Sequence, residues 1–388
     1  MKRFIFFFLA FFALSPLKAY QTDSLQVSLI TIVPHANEIY TIYGHSALRL
    51  SDPSQKMDAV FNWGMFNFRA PFFIYRFIKG ETDYFLSYAS YEDFIHYSQL
   101  ENISAIEQTL ILSSEEKEKI LQMVVTNLLP ENLYYRYNFL FDNCTTRIRD
   151  ILEKGTNQSF ADSESPEKFT FRDLIHAHTK FSPWMTFGLD LLIGSGADTL
   201  ITPHQELFLP MKLKDALDNA SFVSSSEQIL TTSNKIIPQS KFWESPLIVG
   251  FIILFIYCII IAFGITKHRR FRGAFAPLFF IAGISGCIIG FTTLISYHPC
   301  TSSNWNLLWL HPFHLIAFAG YFKKKRNKSA MTAGLFWYHV VNFVILSAIL
   351  LSWVWLPQKL NVANVPYILC LMAASGYWVY RAKKDETI

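Results

Sequence analysis

The last third of the chain constrains the fold most. Between Ser245 and Arg381 lie five apolar runs, at about 246–266, 274–297, 306–322, 331–356 and 364–380, separated by short polar connections. Most approach the roughly 20 residues that a helix needs to cross hydrocarbon, although the third and fifth are short or interrupted by polar residues. Over the 388 residues, 51% are hydrophobic and 16% charged, which argues against a single soluble fold.

The connections between the runs set an orientation. KHRRFR (267–272), KKKRNK (323–328) and RAKK (381–384) are basic, whereas HPCTSSNW (298–305) has no Lys or Arg and PQKLNVAN (357–364) has one. By the positive-inside rule the basic segments are cytoplasmic, and five crossings that end inside must begin outside. The N-terminus points the same way. Residues 1–19, MKRFIFFFLAFFALSPLKA, have Lys2 and Arg3, an apolar run from Phe4 to Leu14, and the small Ala19 at a processing position. This reads as a signal peptide, with an uncleaved anchor as the competing reading; the run is about half a span. The expected organisation is therefore 1–19 signal peptide, 20–240 exported domain and 241–388 membrane domain with five helices. The formal net charge of +4 arises largely in the basic connections, so it is no sign of nucleic-acid binding.

Five cysteines are present. Cys258, Cys287 and Cys370 fall inside predicted spans, where a small apolar thiol packs readily. Only Cys144 and Cys300 face the exported side. Disulfide-stapled domains use many cysteines, so this domain of roughly 220 residues must rely on an ordinary hydrophobic core.

Within that domain, 25–33 and 38–51 are rich in β-branched and aromatic residues and read as strands joined by PHAN. Residues 57–63 and 103–112 are further strands. SSEEKEKILQMVVTNLL (113–129) predicts a helix with Ser113 and Glu116 as its capping box and Ile120, Leu121, Val124, Val125 and Leu128 as its buried stripe. A second helix follows Asp142 or Asn143, buries Ile148, Ile151 and Leu152, and ends at Gly155. The polar, Ser/Thr-rich stretch 221–240 reads as a linker to the membrane.

Cys144 then sits in the first turn of that second helix, where unpaired amides and the macrodipole favour a thiolate. A thiol nucleophile also needs a base, and the domain offers His35, His45, His96, His176, His178 and His204. His45, in YGHSALRL, follows Gly44 on a strand that would hold its ring rigidly, which makes it the preferred partner. The spacing equally allows a packed thiol and an unrelated strand histidine. Asp190 and Asp198 suggest a metal pair at first sight, but carboxylates eight apart amid glycines are more often turn formers, and no metal or other cofactor is expected. Cys300 is read as incidental. His298, His311 and His314, near or within a span, suit either a functional role or pairing with backbone and headgroups.

IYGHSALRLSDP, AVFNWGMFNF, RYNFLFDNCTTRIRDILE, PWMTFGLDLLIGSGADTL and LFLP together resemble the periplasmic domain of the Lnb family of bacterial lipoprotein N-acyltransferases, and NLLWLHPFHLIAF is similar to its C-terminal membrane portion. The order of histidine strand and cysteine helix also resembles the circularly permuted papain-like fold of lecithin-retinol acyltransferase relatives. The resemblance implies an α+β domain of that fold followed by an all-α bundle of five transmembrane helices. It makes Cys144 the nucleophile and His45 its base, with a polar residue of the next strand orienting the histidine: Asn62, or alternatively Asp58. Arg147 is placed to contact a lipid phosphate, or to pair with a surface acid; Tyr43 is placed to donate to an oxyanion, or simply to pack. The implied reaction moves an acyl chain from a membrane phospholipid, through a Cys144 thioester, to the α-amine of a diacylated lipoprotein, with no nucleic-acid partner. The implied site is the bacterial inner membrane, multi-pass, with the catalytic domain in the periplasm. A membrane-anchored thiol hydrolase and a non-enzymatic receptor or scaffold are the alternatives.

Overall fold

A computed structural model describes residues 22–35, 39–161, 167–219, 223–231, 241–268, 271–322 and 333–386. The expected signal peptide and the basic segment 323–328 lie outside the described residues. The N-terminal part is built on seven strands: β1 (Gln26–Ile32), β2 (His45–Asp52), β3 (Met57–Met65), β4 (Asp83–Ser90), β5 (Ala105–Leu110), β6 (Tyr134–Arg136) and β7 (Val223–Leu230). They form one antiparallel sheet in the order β6-β4-β3-β2-β1-β5-β7. Around it run α1 (Phe73–Lys79), α2 (Tyr91–Leu100), α3 (Ser114–Leu128), α4 (Cys144–Thr156), α5 (Phe171–Thr179), α6 (Pro183–Leu192), α7 (Pro203–Glu206) and α8 (Pro210–Asp218). The C-terminal part contains α9 (Pro246–Thr266), α10 (Arg272–Leu294), α11 (His314–Phe322), α12 (Ala333–Leu351) and α13 (Asn364–Glu386).

Alternation along the central strands gives the sheet two apolar faces. Val27 and Leu29 of β1, Leu48 and Leu50 of β2, and Phe61 and Trp63 of β3 point to the face covered by α3, α4 and α8. Ile30, Ala47 and Val60 point the other way, where Phe94 of α2 covers them. Each such fully buried side chain contributes ~1.5–3 kcal/mol of transfer free energy, so the two-sided core fixes the register.

Several elements differ from the sequence expectation. The stretch read as a strand from 38 instead turns through a 3-10 segment, Ile39–Tyr43, and becomes extended only at His45. Gly44 makes that break at φ +79°, and a Cβ there would lie 2.6 Å from the Ile32 carbonyl oxygen. The predicted capping box Ser113/Glu116 is present, and Ile120, Leu121 and Val124 are buried behind it. Gly155 does not end α4; Asn157 does, at φ 57°. Gly155 serves close packing instead, because a Cβ on it would meet Ile120 Cγ1 at 2.4 Å. The segment read as a linker contributes β7, which pairs along β5 from Ala105 to Leu110. Ladder pairing with β5 overrides the weak strand propensity of its serines, and its polarity is that of an edge strand.

In the C-terminal part, α9, α10 and α12 are long and apolar enough to cross a membrane, by length and composition. Five such helices were expected. The run at 306–322 is divided between a 3-10 turn, Trp305–Leu308, and the nine-residue α11. The run at 364–380 lies in the 23-residue α13, where Asn364, Ser375 and several aromatic hydroxyls dilute the apolar character. All five helices share one core, with Phe275, Phe279, Ala317, Leu346 and Trp378 among its buried members.

The two parts are clamped together by a buried ion network. Arg172 of α5, 1% exposed, reaches Asp190 at 2.6 Å and Asp198 at 2.7 Å, and donates to the carbonyls of Ile193 and Gly194. The C-terminal part completes the network: Asn361 donates to Asp190 at 2.8 Å, Asn306 to the Asp190 carbonyl at 2.9 Å, and Gln358 to the Ile193 carbonyl at 2.8 Å. Asp190 and Asp198 are therefore neither a metal pair nor simple turn formers; they hold a buried guanidinium.

Candidate active site

The first turn of α4 is fixed from within. The Asn143 side chain accepts from the amides of Thr145 (2.9 Å) and Thr146 (2.8 Å), while its Nδ2 donates to the carbonyls of Phe139 and Phe208. With both faces of that amide used, the position of Cys144 at the helix start is set. The thiol is buried as part of the sheet–helix core to which Phe61, Trp63 and Ile148 also belong.

His45 opens β2 directly after the Gly44 turn; its imidazole hydrogen-bonds Asn62 and lies beside the Cys144 thiol, near enough that each shifts the pKa of the other. The Asn62 contact runs from Nε2 to Oδ1 at 3.2 Å. Asn62 Nδ2 donates to the Val60 carbonyl, which leaves Oδ1 as the acceptor and assigns the proton to Nε2. In that tautomer the remaining nitrogen, Nδ1, carries the free lone pair. Asp58, the alternative orienter, lies opposite Ser51 and is bound by Arg49 at 2.7 Å, so it belongs to a different cluster.

The electrostatics follow from these contacts. Burial pushes the Cys144 thiol up, but the imidazole beside it, the Ser46 amide and the Thr145 hydroxyl all favour the thiolate, and the balance lowers it to about 7. For His45 burial disfavours the charged ring, yet the adjacent thiolate and the Asn62 oxygen outweigh it and raise the pKa. Each group thus favours the charged form of the other, thiolate beside imidazolium, which is the state a thiol nucleophile would need. Of the other histidines, His176 bonds Asp190, His178 bonds the Leu174 carbonyl and His204 bonds Glu153.

Four further residues shape the site, and the sequence reading passed over them. Ser46 and Thr145, neighbours of the principal pair, bridge the strand to the helix with Oγ atoms 3.0 Å apart. Tyr135 and Tyr137, from the short β6 and the loop after it, wall the thiol on the side of Gly64. A Cβ on Gly64, which sits at φ +90°, would lie 3.5 Å from Tyr137 Cε2, 3.7 Å from Cys144 Cβ and 3.9 Å from Tyr135 Oη. The missing side chain leaves room beside the sulfur. The Tyr135 hydroxyl is buried at the edge of that room without a hydrogen-bond partner among the described residues. The cue in the sequence was the aromatic cluster LYYRYNF five to eleven residues before the cysteine.

The remaining candidates lie close by with other partners. Arg147 forms a two-pronged ion pair with Asp142, one prong at 2.7 Å, and its guanidinium covers the Tyr135 ring at 4.0 Å. Its fork is thereby occupied, and it packs a tyrosine of the site instead of facing outward. Tyr43 packs in tilted contact against Phe139 and His178, and burial raises its hydroxyl pKa. Cys300, half-buried, is a free thiol, as is Cys144, and its carbonyl accepts from Gly194 at 2.7 Å.

No curated protein matches the chain, and no solved structure does. Two family models match it: residues 14–177 match the Lnb N-terminal periplasmic domain, and residues 237–386 match the Lnb transmembrane domain. The first match contains His45, Asn62, Tyr135 and Cys144, and the second covers the helical bundle. With both halves matched in order, the chain belongs to the Lnb family, as a membrane protein with a periplasmic domain followed by a transmembrane domain.

Proposed function

We propose that this protein is a lipoprotein N-acyltransferase in which Cys144 carries the acyl chain as a thioester. The observation that carries the reading is the Cys144–His45–Asn62 arrangement on a domain clamped to a membrane bundle. A nucleophile held there meets lipid-anchored substrates more readily than soluble ones. The histidine-bearing strand precedes the cysteine-bearing helix, which supports a permuted papain-like arrangement, and the shared bundle core supports α11 and α13 as partners of the three long spans in a five-crossing topology.

In the first half-reaction the Cys144 thiolate attacks an ester carbonyl of a glycerophospholipid. The new C–S bond forms as the carbonyl π pair moves to oxygen. The C–O bond then breaks, and the leaving alkoxide takes the proton from the His45 imidazolium, giving lysophospholipid and the thioester. In the second half the α-amine of a diacylglyceryl-cysteine attacks the thioester, His45 takes the amine proton, and the thiolate departs from an N-acylated product. Oxyanion stabilisation falls to donors still free in the structure. The Thr145 and Thr146 amides are spent on Asn143, and the Tyr135 hydroxyl, near Cys144 and without a partner among the described residues, is the donor we assign. Arg147 over its ring and Asp142 behind Arg147 keep that tyrosine in place.

The test is lipid analysis in cells that lack lipoprotein N-acylation. Wild-type protein is expected to restore N-acylated N-terminal cysteines, detected by mass spectrometry, and Cys144→Ala, inserted at equal level, is expected to leave only diacylated ones. Identical lipoproteins from both strains overturn the reading. Fatty acid released into water with no N-acylated product would instead identify a hydrolase.

A further inference from the structure

The segment 65–79, MFNFRAPFFIYRFIK, is built the wrong way round for a domain surrounded by water. It contains α1, and the helix displays its large apolar residues: Phe72 is 81% exposed and Ile74 73%, with Phe68, Tyr75 and Phe77 exposed beside them. A contiguous patch of this kind is uncommon on a soluble surface and marks something that covers it. A seven-residue helix is also too short to persist alone. Phe72, at its N-cap, takes the left-handed region at φ 55° without a side-chain cap, a conformation that a bulky residue adopts only under external hold.

What holds α1 is the outer end of a membrane helix. The last three carbonyls of α1 are each taken by the segment just after α10: His298 Nε2 donates to the Phe77 carbonyl at 2.6 Å, Ser296 Oγ to that of Ile78 at 2.8 Å, and the Tyr297 amide to that of Lys79 at 2.8 Å. Tyr75 packs on Phe291 of α10 itself, with ring centroids 6.2 Å apart. Because α10 starts at the basic segment 267–272, its far end reaches the periplasmic face. The exposed face of α1 therefore lies at the level of the outer leaflet, where aromatic side chains partition between headgroup and hydrocarbon. Arg69, exposed and without an acidic partner among the described residues, stands four positions before α1, where its fork is free for an anion.

A row of touching rings leads inward from this helix. Phe73 stacks on Phe66 at 5.8 Å, Phe66 meets Tyr84 at 5.0 Å, and Tyr84 stacks on Tyr137 at 4.3 Å. Tyr137 borders the vacant side of Gly64, across from Cys144. We propose that α1 and its flanks lie in the outer leaflet of the bilayer and that the row Phe73–Phe66–Tyr84–Tyr137 is the apolar wall along which a phospholipid reaches the thiol. The first half of this proposal stands on the segment alone, and the second rests on the acyl-transfer reading given above.

Each half has its own readout. For immersion, a nitroxide is attached at Ile74→Cys in full-length protein lacking Cys144, Cys258, Cys287 and Cys300, reconstituted in vesicles of phosphatidylethanolamine and phosphatidylglycerol. Collision with oxygen should exceed collision with a water-soluble nickel chelate, as at the bundle site Phe255→Cys and opposite to Leu100→Cys on α2. A water-like profile at position 74 overturns immersion. Shielding from both reagents overturns it too, because a protein partner or a second copy then covers the helix. For the lipid route, Phe72→Asp/Ile74→Asp is compared with wild type, both keeping Cys144. Acyl-enzyme formation from vesicle phospholipid should fall about tenfold or more, since charge opposes insertion, while alkylation of Cys144 by iodoacetamide stays unchanged. Unchanged acylation overturns the route. Loss of both signals, not rescued by Phe72→Leu/Ile74→Leu, assigns α1 a purely structural part and also overturns it. If wild type itself forms no acyl-enzyme, the acyl-transfer reading fails while the depth measurement still decides immersion.

Discussion

At the scale of single residues, the chemistry depends on how three groups offset the burial of one thiol. The ordinary pKa of a cysteine is near 8.5, and burial alone would raise it. With the Cys144 pKa lowered to about 7, its thiolate fraction grows as pH rises through neutrality and is lost on acidification. Alkylation of Cys144 by iodoacetamide should therefore show a midpoint near 7 in wild type. His45→Ala removes the opposing charge and leaves burial unbalanced, so the midpoint should move upward, beyond that of a free thiol; an unshifted profile would mean that His45 does not set the thiolate. Asn62→Ala should preserve folding but free the imidazole to rotate, lowering the rate of acyl transfer by about 10²-fold. Tyr135→Phe removes only a hydroxyl. If that hydroxyl is the oxyanion donor, kcat should fall by about 10²-fold with the iodoacetamide profile unchanged, because alkylation forms no oxyanion.

At the scale of elements, two glycines bring the sheet and the helices close enough for the site to exist. Gly44 allows the chain to turn sharply into β2, and Gly155 lets α4 lie against Ile120 of α3. Gly44→Ala combines a left-handed φ with a Cβ 2.6 Å from a carbonyl oxygen, so it should destabilise by about 1–3 kcal/mol and disturb His45 directly. Gly155→Ala should destabilise by about 1–3 kcal/mol through overpacking. The second loss should shrink in an Ile120→Ala background, because the two positions share one contact, whereas the first should not. Thermal unfolding of the three single variants and the two Ile120→Ala double variants separates the two mechanisms.

At the scale of the whole molecule, the buried Arg172 network is what makes a periplasmic domain and a membrane bundle into one body. Asp190 is held ionised against its burial by His176, Arg172 and Asn361, and its pKa is lowered accordingly. Arg172→Met strands two buried carboxylates and should destabilise by about 3–5 kcal/mol, read as a drop in Tm in detergent and as new protease cleavage between α5 and α9. Replacing the carboxylates together with it, as Arg172→Met/Asp190→Asn/Asp198→Asn, should restore much of the loss, since no charge is then left unpaired. Much of this design was legible from local pattern. Periodicity and charge bias marked the membrane region, the capping box of α3 and the buried stripe of α4, because each depends on residues a few positions apart. The cysteine and histidine were legible because few thiols and few rigidly placed rings were on offer. What the chain alone did not disclose depends on residues far apart meeting: β7 as an edge of the sheet, Gly155 as a packing site, Arg147 on Tyr135 instead of outward, Asp190 and Asp198 around Arg172, and the tyrosines beside the sulfur. The sequence by itself determined that a periplasmic domain bearing a thiol precedes a membrane bundle. Only the tertiary structure decided which groups tune that thiol, because electrostatics and packing act through distance in space: His45 and Asn62 are 17 positions apart, and the Asn361–Asp190 bond that joins the two parts spans 171.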